Sequence, residues 1–106
     1  MPTPPFDPVS DADLAVVHAQ LGRIPRGVVG VAARCVCGNP TVVATAPRLP
    51  DGTPFPTFYY LTHPAATVAM SHLEADQIMP DLAALLDDPD TAAAYERAHV
   101  AYLADR

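Results

Sequence analysis

The sequence of 106 residues contains no lysine, so all six of its basic side chains are arginines. It also has no apolar run close to the ~20 residues that a membrane-spanning helix needs, which argues against a membrane protein. No nucleophile elbow, phosphate-binding glycine loop with its lysine, or HExxH pattern occurs. The N-terminus, MPTPPFDP, has neither basic residues nor an apolar core, and so does not resemble a secretory signal. We therefore expect a cytoplasmic protein without a recognisable catalytic motif.

The net charge of −6 is unevenly distributed along the chain. Residues 21–50 carry four arginines and no acid, whereas residues 71–106 carry eight acids and two arginines. Because the guanidinium fork suits carboxylates and phosphates, one hypothesis is that Arg34 and Arg48 bind a small anionic ligand. The alternative is that the arginines pair with the acidic C-terminal helices. Four arginines on an acidic protein offer too few cationic contacts to a phosphate backbone, so we expect no nucleic-acid partner.

The chain is long enough for one domain with a modest core. The Pro-rich residues 1–9 predict a flexible N-terminal arm, and residues 10–106 predict a single α+β domain. Ser10 is typical of a helix cap, and Gly22 is typical of a helix end, so a short amphipathic helix is expected between them.

The central part of the chain predicts a small sheet. Residues 28–36 and 41–46 are β-branched runs joined by a Gly/Asn/Pro turn, which predicts a hairpin. Gly30 within the first run indicates a bulge or close packing. A Pro-rich loop follows, and residues 57–61 predict a third strand.

Three further helices are expected over residues 65–76, 78–86 and 91–104. His63 and Pro64 form the junction into the first of these, since proline is favoured at the first helical position. The predicted fold is therefore α+β, with a small three-stranded antiparallel sheet (a hairpin plus one strand) packed with about four helices.

Several strings in the sequence resemble a known family. They are PRLPDGTPFPTFYYLTHP with RC upstream, AHxxYLxxR at Ala98–Arg106, and QLGRIPRG at Gln20–Gly27. Together they resemble the domain-of-unknown-function 501 family of actinobacteria from Leu14 onward. The family has no established activity, so the resemblance implies none. Its members usually have a lysine where this chain has Ala44.

The resemblance also implies a difference at the C-terminus. Family chains usually continue with a Val-Lys-Cys-Leu-His segment, and we expect this chain to lack it. Any family site that uses those residues would be incomplete here.

Both cysteines lie in the central stretch, with one residue between them. This spacing disfavours a normal disulfide, so Cys35 and Cys37 are expected to be free thiols or ligands. One hypothesis is a zinc site formed by Cys35, Cys37, His63 and His99. The alternative is structural: Cys35 is a small buried side chain, His63 caps a helix, and His99 packs in a core.

Two functions from different classes follow. The first is a small uncharacterised cytoplasmic domain that serves as a binding or assembly module and forms a homo-oligomer. The alternative is a metal- or thiol-dependent enzyme, or the remnant of one, that acts on a small anionic substrate. The sequence leaves open whether the protein is an enzyme.

Overall fold

A computed structural model describes residues 5–106 of the chain. It divides into two compact units, of which the first ends at Thr67 and the second spans Val68–Arg106. The single domain over residues 10–106 stays a prediction. So does the flexibility of residues 1–9, the first four of which lie outside the described residues. Within the described part of the chain, no helix is long and apolar enough to cross a membrane.

The first helix, α1 (Asp11–Leu21), begins and ends at the predicted signals. Ser10 Oγ accepts a hydrogen bond from Asp13 N at 3.0 Å, and Asp13 Oδ2 accepts one from Ser10 N at 3.1 Å. This reciprocal pair is a capping box, which satisfies two backbone N–H groups at the helix start. Gly22 ends α1 in the left-handed conformation, with φ 73° and its N–H donating to His18 O. Glycine adopts this conformation without steric cost.

The sheet consists of β1 (Val28–Arg34), β2 (Pro40–Thr45) and β3 (Tyr59–Leu61). The strands are antiparallel, and β2 lies between the other two. Together with the helices, this sheet confirms the predicted α+β fold and the hairpin plus third strand.

The hairpin differs from the prediction at its turn. The sequence predicts that the first strand continues to Val36, whereas β1 ends at Arg34. The turn begins at Cys35. Its O accepts a hydrogen bond from Gly38 N at 2.9 Å, and its N donates to Asn39 O at 2.9 Å. The cysteines therefore lie in the turn rather than on a strand.

The buried apolar side chains of the first unit lie on α1 and on both faces of the sheet, because Val43 and Ala44 are consecutive in β2 and point to opposite sides. They are at most 3% exposed: Val17, Val31, Val43, Ala44 and Phe58. Gln20 Nε2 donates to Pro40 O at 2.8 Å, which joins the end of α1 to the start of β2. This polar contact fixes α1 against β2.

A short N-terminal segment packs on the outer edge of the sheet. Asp7 and Val31 exchange two backbone hydrogen bonds of 2.9 Å. The ring of Phe6 meets that of Phe58 edge-on, with 6.1 Å between centroids. A Cβ atom on Gly30 would overlap the Phe6 ring and lie 2.7 Å from Asp7 O. The close packing predicted at Gly30 is therefore confirmed.

Three helices follow the sheet and lie close to their predicted bounds. They are α2 (Pro64–Ala75), α3 (Met79–Ala84) and α4 (Pro89–Asp105), with a 3₁₀ turn over Leu85–Asp87 before α4. The expected helix over 78–86 thus ends early, and its last residues tighten into the 3₁₀ turn. Asp88 Oδ2 accepts from Thr91 N at 2.9 Å and caps α4.

Candidate functional site

A pocket of about 610 Å³ opens in the first unit, on the sheet. Val43 and Tyr60 line it from the strands, residues 23–26 line it from the segment after α1, and Leu49 and Phe55 line it from the Pro-rich loop. This volume falls within the roughly 300–1,000 Å³ of small-molecule sites, which are mostly apolar with a few placed polar groups. The pocket matches that description, since most of its lining side chains are apolar.

Two guanidinium groups supply the positive charge of this pocket. Arg23 Nη2 donates a hydrogen bond to Tyr60 Oη at 3.0 Å, and Arg26 also lines the pocket. Beside Arg26 lies Asp51, whose pKa is lowered mainly by hydrogen bonds from Thr53 and to a smaller extent by the positive charge of Arg26. With two arginines and one nearby carboxylate, the local charge is about +1.

Arg34, the first predicted anion-binding residue, is engaged within the first unit. Its Nη1 and Nη2 donate to the two carboxylate oxygens of Asp13 at 2.8 and 3.0 Å. Nη1 also donates to Gly38 O at 3.0 Å, and Nε lies 3.6 Å from Asp7 Oδ2. The expected alternative, pairing of this arginine with the acidic C-terminal helices, is wrong, because its acidic partners are N-terminal.

Arg48, the second predicted anion-binding residue, lies in the Pro-rich loop. Its Nη1 donates to Gly52 O at 3.1 Å, and the residue is exposed. Arg34 pairs with the first residue of β2, whereas Arg48 follows the end of that strand. Anion binding by these two arginines stays a prediction, and neither lines the pocket described above.

The expectation of free thiols is wrong, because Cys35 and Cys37 form a disulfide. In an extended strand, two residues that flank a third have Cα atoms about 6.7 Å apart, near the upper limit for a disulfide. The turn at Cys35 shortens the Cα–Cα distance to 5.3 Å, which lies within the usual range. In this state the sulfurs cannot serve as thiolate ligands.

His63 has the structural role that was the alternative to zinc binding, which is that of a helix cap. Its Nδ1 accepts a hydrogen bond from Ala66 N at 3.2 Å, so the imidazole caps the start of α2. His99 lies on α4 and is exposed rather than packed in a core. Across residues 5–106, no three Cys, His, Asp or Glu side chains come together in a metal-binding group. The zinc hypothesis, and with it the metal- or thiol-dependent enzyme, stays a prediction.

The second unit presents a different kind of surface. None of residues 68–106 is buried. Its helices expose large apolar side chains: Val68, Met70, Leu73, Met79, Leu82, Leu85, Leu86, Tyr95, Val100 and Leu103. Exposed apolar area of this kind marks an interaction surface more often than a free one.

The pocket and the apolar helices belong to a chain that matches one family model. The model, described as "Protein of unknown function (DUF501)", matches residues 31–106. The chain belongs to the DUF501 family. No curated protein and no solved structure matches the chain. Membership therefore confirms the resemblance while assigning no activity; the actinobacterial origin and the missing C-terminal segment stay predictions.

Only some of the residues that line the pocket lie within the span matched by the DUF501 model. Tyr60 and the loop residues lie within the matched span, whereas Arg23 and Arg26 precede it. Sequence reasoning treated residues 23–27 as a connector and missed both arginines as site residues. The available signal was their spacing around Ile-Pro, which fixes two cations on a short, stiff segment.

Proposed function

We propose that this DUF501 protein is an assembly module that pairs with a second copy through its C-terminal helices. The observation that carries the proposal is the complete lack of buried residues in 68–106, despite ten large apolar side chains there. Helices shorter than about 12–15 residues are marginal alone, and most helical stability in proteins comes from packing an apolar face. These helices present such faces to solvent.

The side chains of α4 support a symmetric pairing. Tyr95, His99 and Leu103 follow one another at helical spacing and share one side of the helix. The same periodicity puts Asp90 and Arg97 on the other side, whereas Glu96 lies beside Leu103 at the margin of the apolar side. Two such stripes can meet with Glu96 at the rim of the contact, where it stays solvated; burying that charge without a partner would be costly.

The net charge of the chain distinguishes self-association from binding to a basic partner protein. A pair of chains that each carry −6 repel one another, and salt screens that repulsion. Self-association should therefore strengthen as the salt concentration rises. Binding to a basic partner protein should weaken instead.

The test is sedimentation equilibrium of the full chain over a range of concentrations at low and high salt. We expect a monomer–dimer equilibrium that shifts toward the dimer at high salt. Leu103→Glu should raise the dimer Kd at least about tenfold, or roughly 1.4 kcal/mol. Ala101→Glu adds the same charge to the other side of α4 and is the matched control.

Circular dichroism of both variants checks that helix content is retained. A clean monomer at the highest concentrations, or equal weakening by the two substitutions, would count against the proposal.

A further inference from the structure

We propose that the pocket of the first unit binds a small amphiphilic carboxylate, which is an apolar body carrying one carboxylate group. This site is separate from the proposed pairing of the C-terminal helices, because every residue that lines it precedes Thr67. The two proposals therefore stand or fall independently.

The apolar part of the ligand is indicated by the floor and walls of the pocket. Val43, Leu49 and Phe55 present aliphatic and aromatic groups to it. Ile24 also lines it and is 73% exposed. A ligand body in the pocket would cover Ile24, and burial of its side chain would favour binding.

The charged part of the ligand is indicated by Arg23 and Arg26. The hydrogen bond from Arg23 Nη2 to Tyr60 Oη fixes one guanidinium at the pocket wall, with other N–H groups left to donate. A carboxylate accepts two parallel hydrogen bonds from such a fork. Arg26 and Asp51 line a neighbouring pocket together, so Asp51 offsets part of the charge of Arg26, and a monoanion matches the site better than a dianionic phosphate ester.

The loop that forms one wall is already ordered by its own hydrogen bonds. Leu49 N donates to Thr53 O at 2.8 Å, Phe55 N donates to Pro47 O at 2.8 Å, and Asp51 Oδ1 accepts from Thr53 N at 2.9 Å. Its prolines further restrict the unfolded chain. A wall that is formed before binding loses little conformational entropy when a ligand arrives.

The probe for the test is phenylbutyrate, with phenylbutanol and phenylbutyl phosphate as its neutral and dianionic analogues. Each is titrated into the full ¹⁵N-labelled chain, and amide shifts locate the site. We expect phenylbutyrate to shift amides of residues 23–27, 43–55 and Tyr60, and to bind about tenfold more tightly than the alcohol, as charge-assisted hydrogen bonds allow. The phosphate ester should bind no more tightly than the carboxylate.

Arg23→Met keeps the apolar stem and removes the charge, so it should weaken phenylbutyrate binding about tenfold while leaving phenylbutanol binding unchanged. Arg26→Met is the second variant and should weaken it less, because Asp51 already offsets that cation. Arg97→Met removes the same charge from α4 and should change nothing. Shifts concentrated on α4, equal affinity for acid and alcohol, tighter binding of the phosphate ester, or equal losses in Arg23→Met and Arg97→Met would each overturn the proposal.

Discussion

The guanidinium of Arg34 holds both carboxylate oxygens of Asp13, with Nη1–Oδ1 and Nη2–Oδ2 distances of 2.8 and 3.0 Å. This bidentate pair joins the end of β1 to the first turn of α1. The same carboxylate also accepts a hydrogen bond from Ser10 N. One side chain thus caps the helix and ties it to the sheet.

Stability should depend on this carboxylate at acidic pH. The hydrogen bond from Arg34 is the main cause that holds the pKa of Asp13 well below its usual range, and the bond from Ser10 N–H adds to it. Because the folded-state pKa is the lower one, the stabilisation is present above the unfolded-state pKa of about 3.9 and is lost as pH falls toward the folded-state value.

Asp13→Asn should therefore flatten the acid limb of the stability–pH curve below about pH 4. At neutral pH it should cost about 1–3 kcal/mol, because the amide still has an acceptor for Ser10 N but loses the charge-assisted bidentate pair with Arg34. Urea unfolding at several pH values measures both effects. Asp11→Asn, in the same helical turn, is the control, and an equally altered acid limb in that variant would contradict the assignment.

Gly30 should tolerate no side chain while Phe6 packs over it. A Cβ atom there would overlap the Phe6 ring, so Gly30→Ala should destabilise the protein by about 1–3 kcal/mol, the usual cost of overpacking. In a Phe6→Ala background the same substitution should cost less, though Asp7 O still lies close. A double-mutant cycle by urea unfolding measures this coupling, and additive effects would show that Phe6 is not the obstacle.

The features predicted correctly from the sequence are those that depend on near neighbours. Ser10 and Gly22 bound α1 because the cap and the left-handed end are set by residues within one turn. The hairpin follows from two β-branched runs and the turn between them. Gly30, a glycine within a β-branched run, predicted a close contact, although the sequence did not show that Phe6 makes it.

The features that sequence reasoning missed depend on distances that only the folded chain sets. The Cys35–Cys37 disulfide depends on where the strand ends, and a shift of that end by two residues changes the Cα–Cα distance enough to permit the bond. The Arg23–Tyr60 contact joins residues far apart in the chain. No periodicity or motif relates them, so the pocket could not be found from spacing.

Two buried threonines provide a matched pair for the energetics of the sheet. Thr62 is 1% exposed, and its Oγ1 has no hydrogen-bond partner among the described residues. Thr45 is 3% exposed, but its Oγ1 lies within hydrogen-bond distance of two carbonyl oxygens, Thr57 O at 2.5 Å and Phe58 O at 3.1 Å. Thr62→Val should stabilise the protein by about 1 kcal/mol, and Thr45→Val should destabilise it by a similar amount. Thermal unfolding of the two variants compares them, and destabilisation by both would show that Thr62 has a partner.

The Cys35–Cys37 disulfide should contribute less to stability than a disulfide that closes a long loop. The loop that it closes spans only three residues, and the chain-entropy relation then gives about 1–2 kcal/mol. Reduction should therefore leave a folded protein whose Tm is lower by roughly 5–10 °C. Thiol titration should find none before reduction and two after it.

The same reduction tests the zinc hypothesis, since only thiolates bind the metal. Elemental analysis of the oxidised protein should find no stoichiometric zinc. If the reduced protein takes up one zinc per chain and Cys35→Ser abolishes the uptake, the predicted ligand set gains support. If uptake is absent, or persists in Cys35→Ser, that set is wrong.

The redox state of the two cysteines in the cell tests the predicted compartment, because cysteines of cytosolic proteins are normally reduced. Thiols are alkylated at the moment of lysis. Alkylated cysteines would agree with a cytoplasmic protein, and an intact disulfide would contradict it.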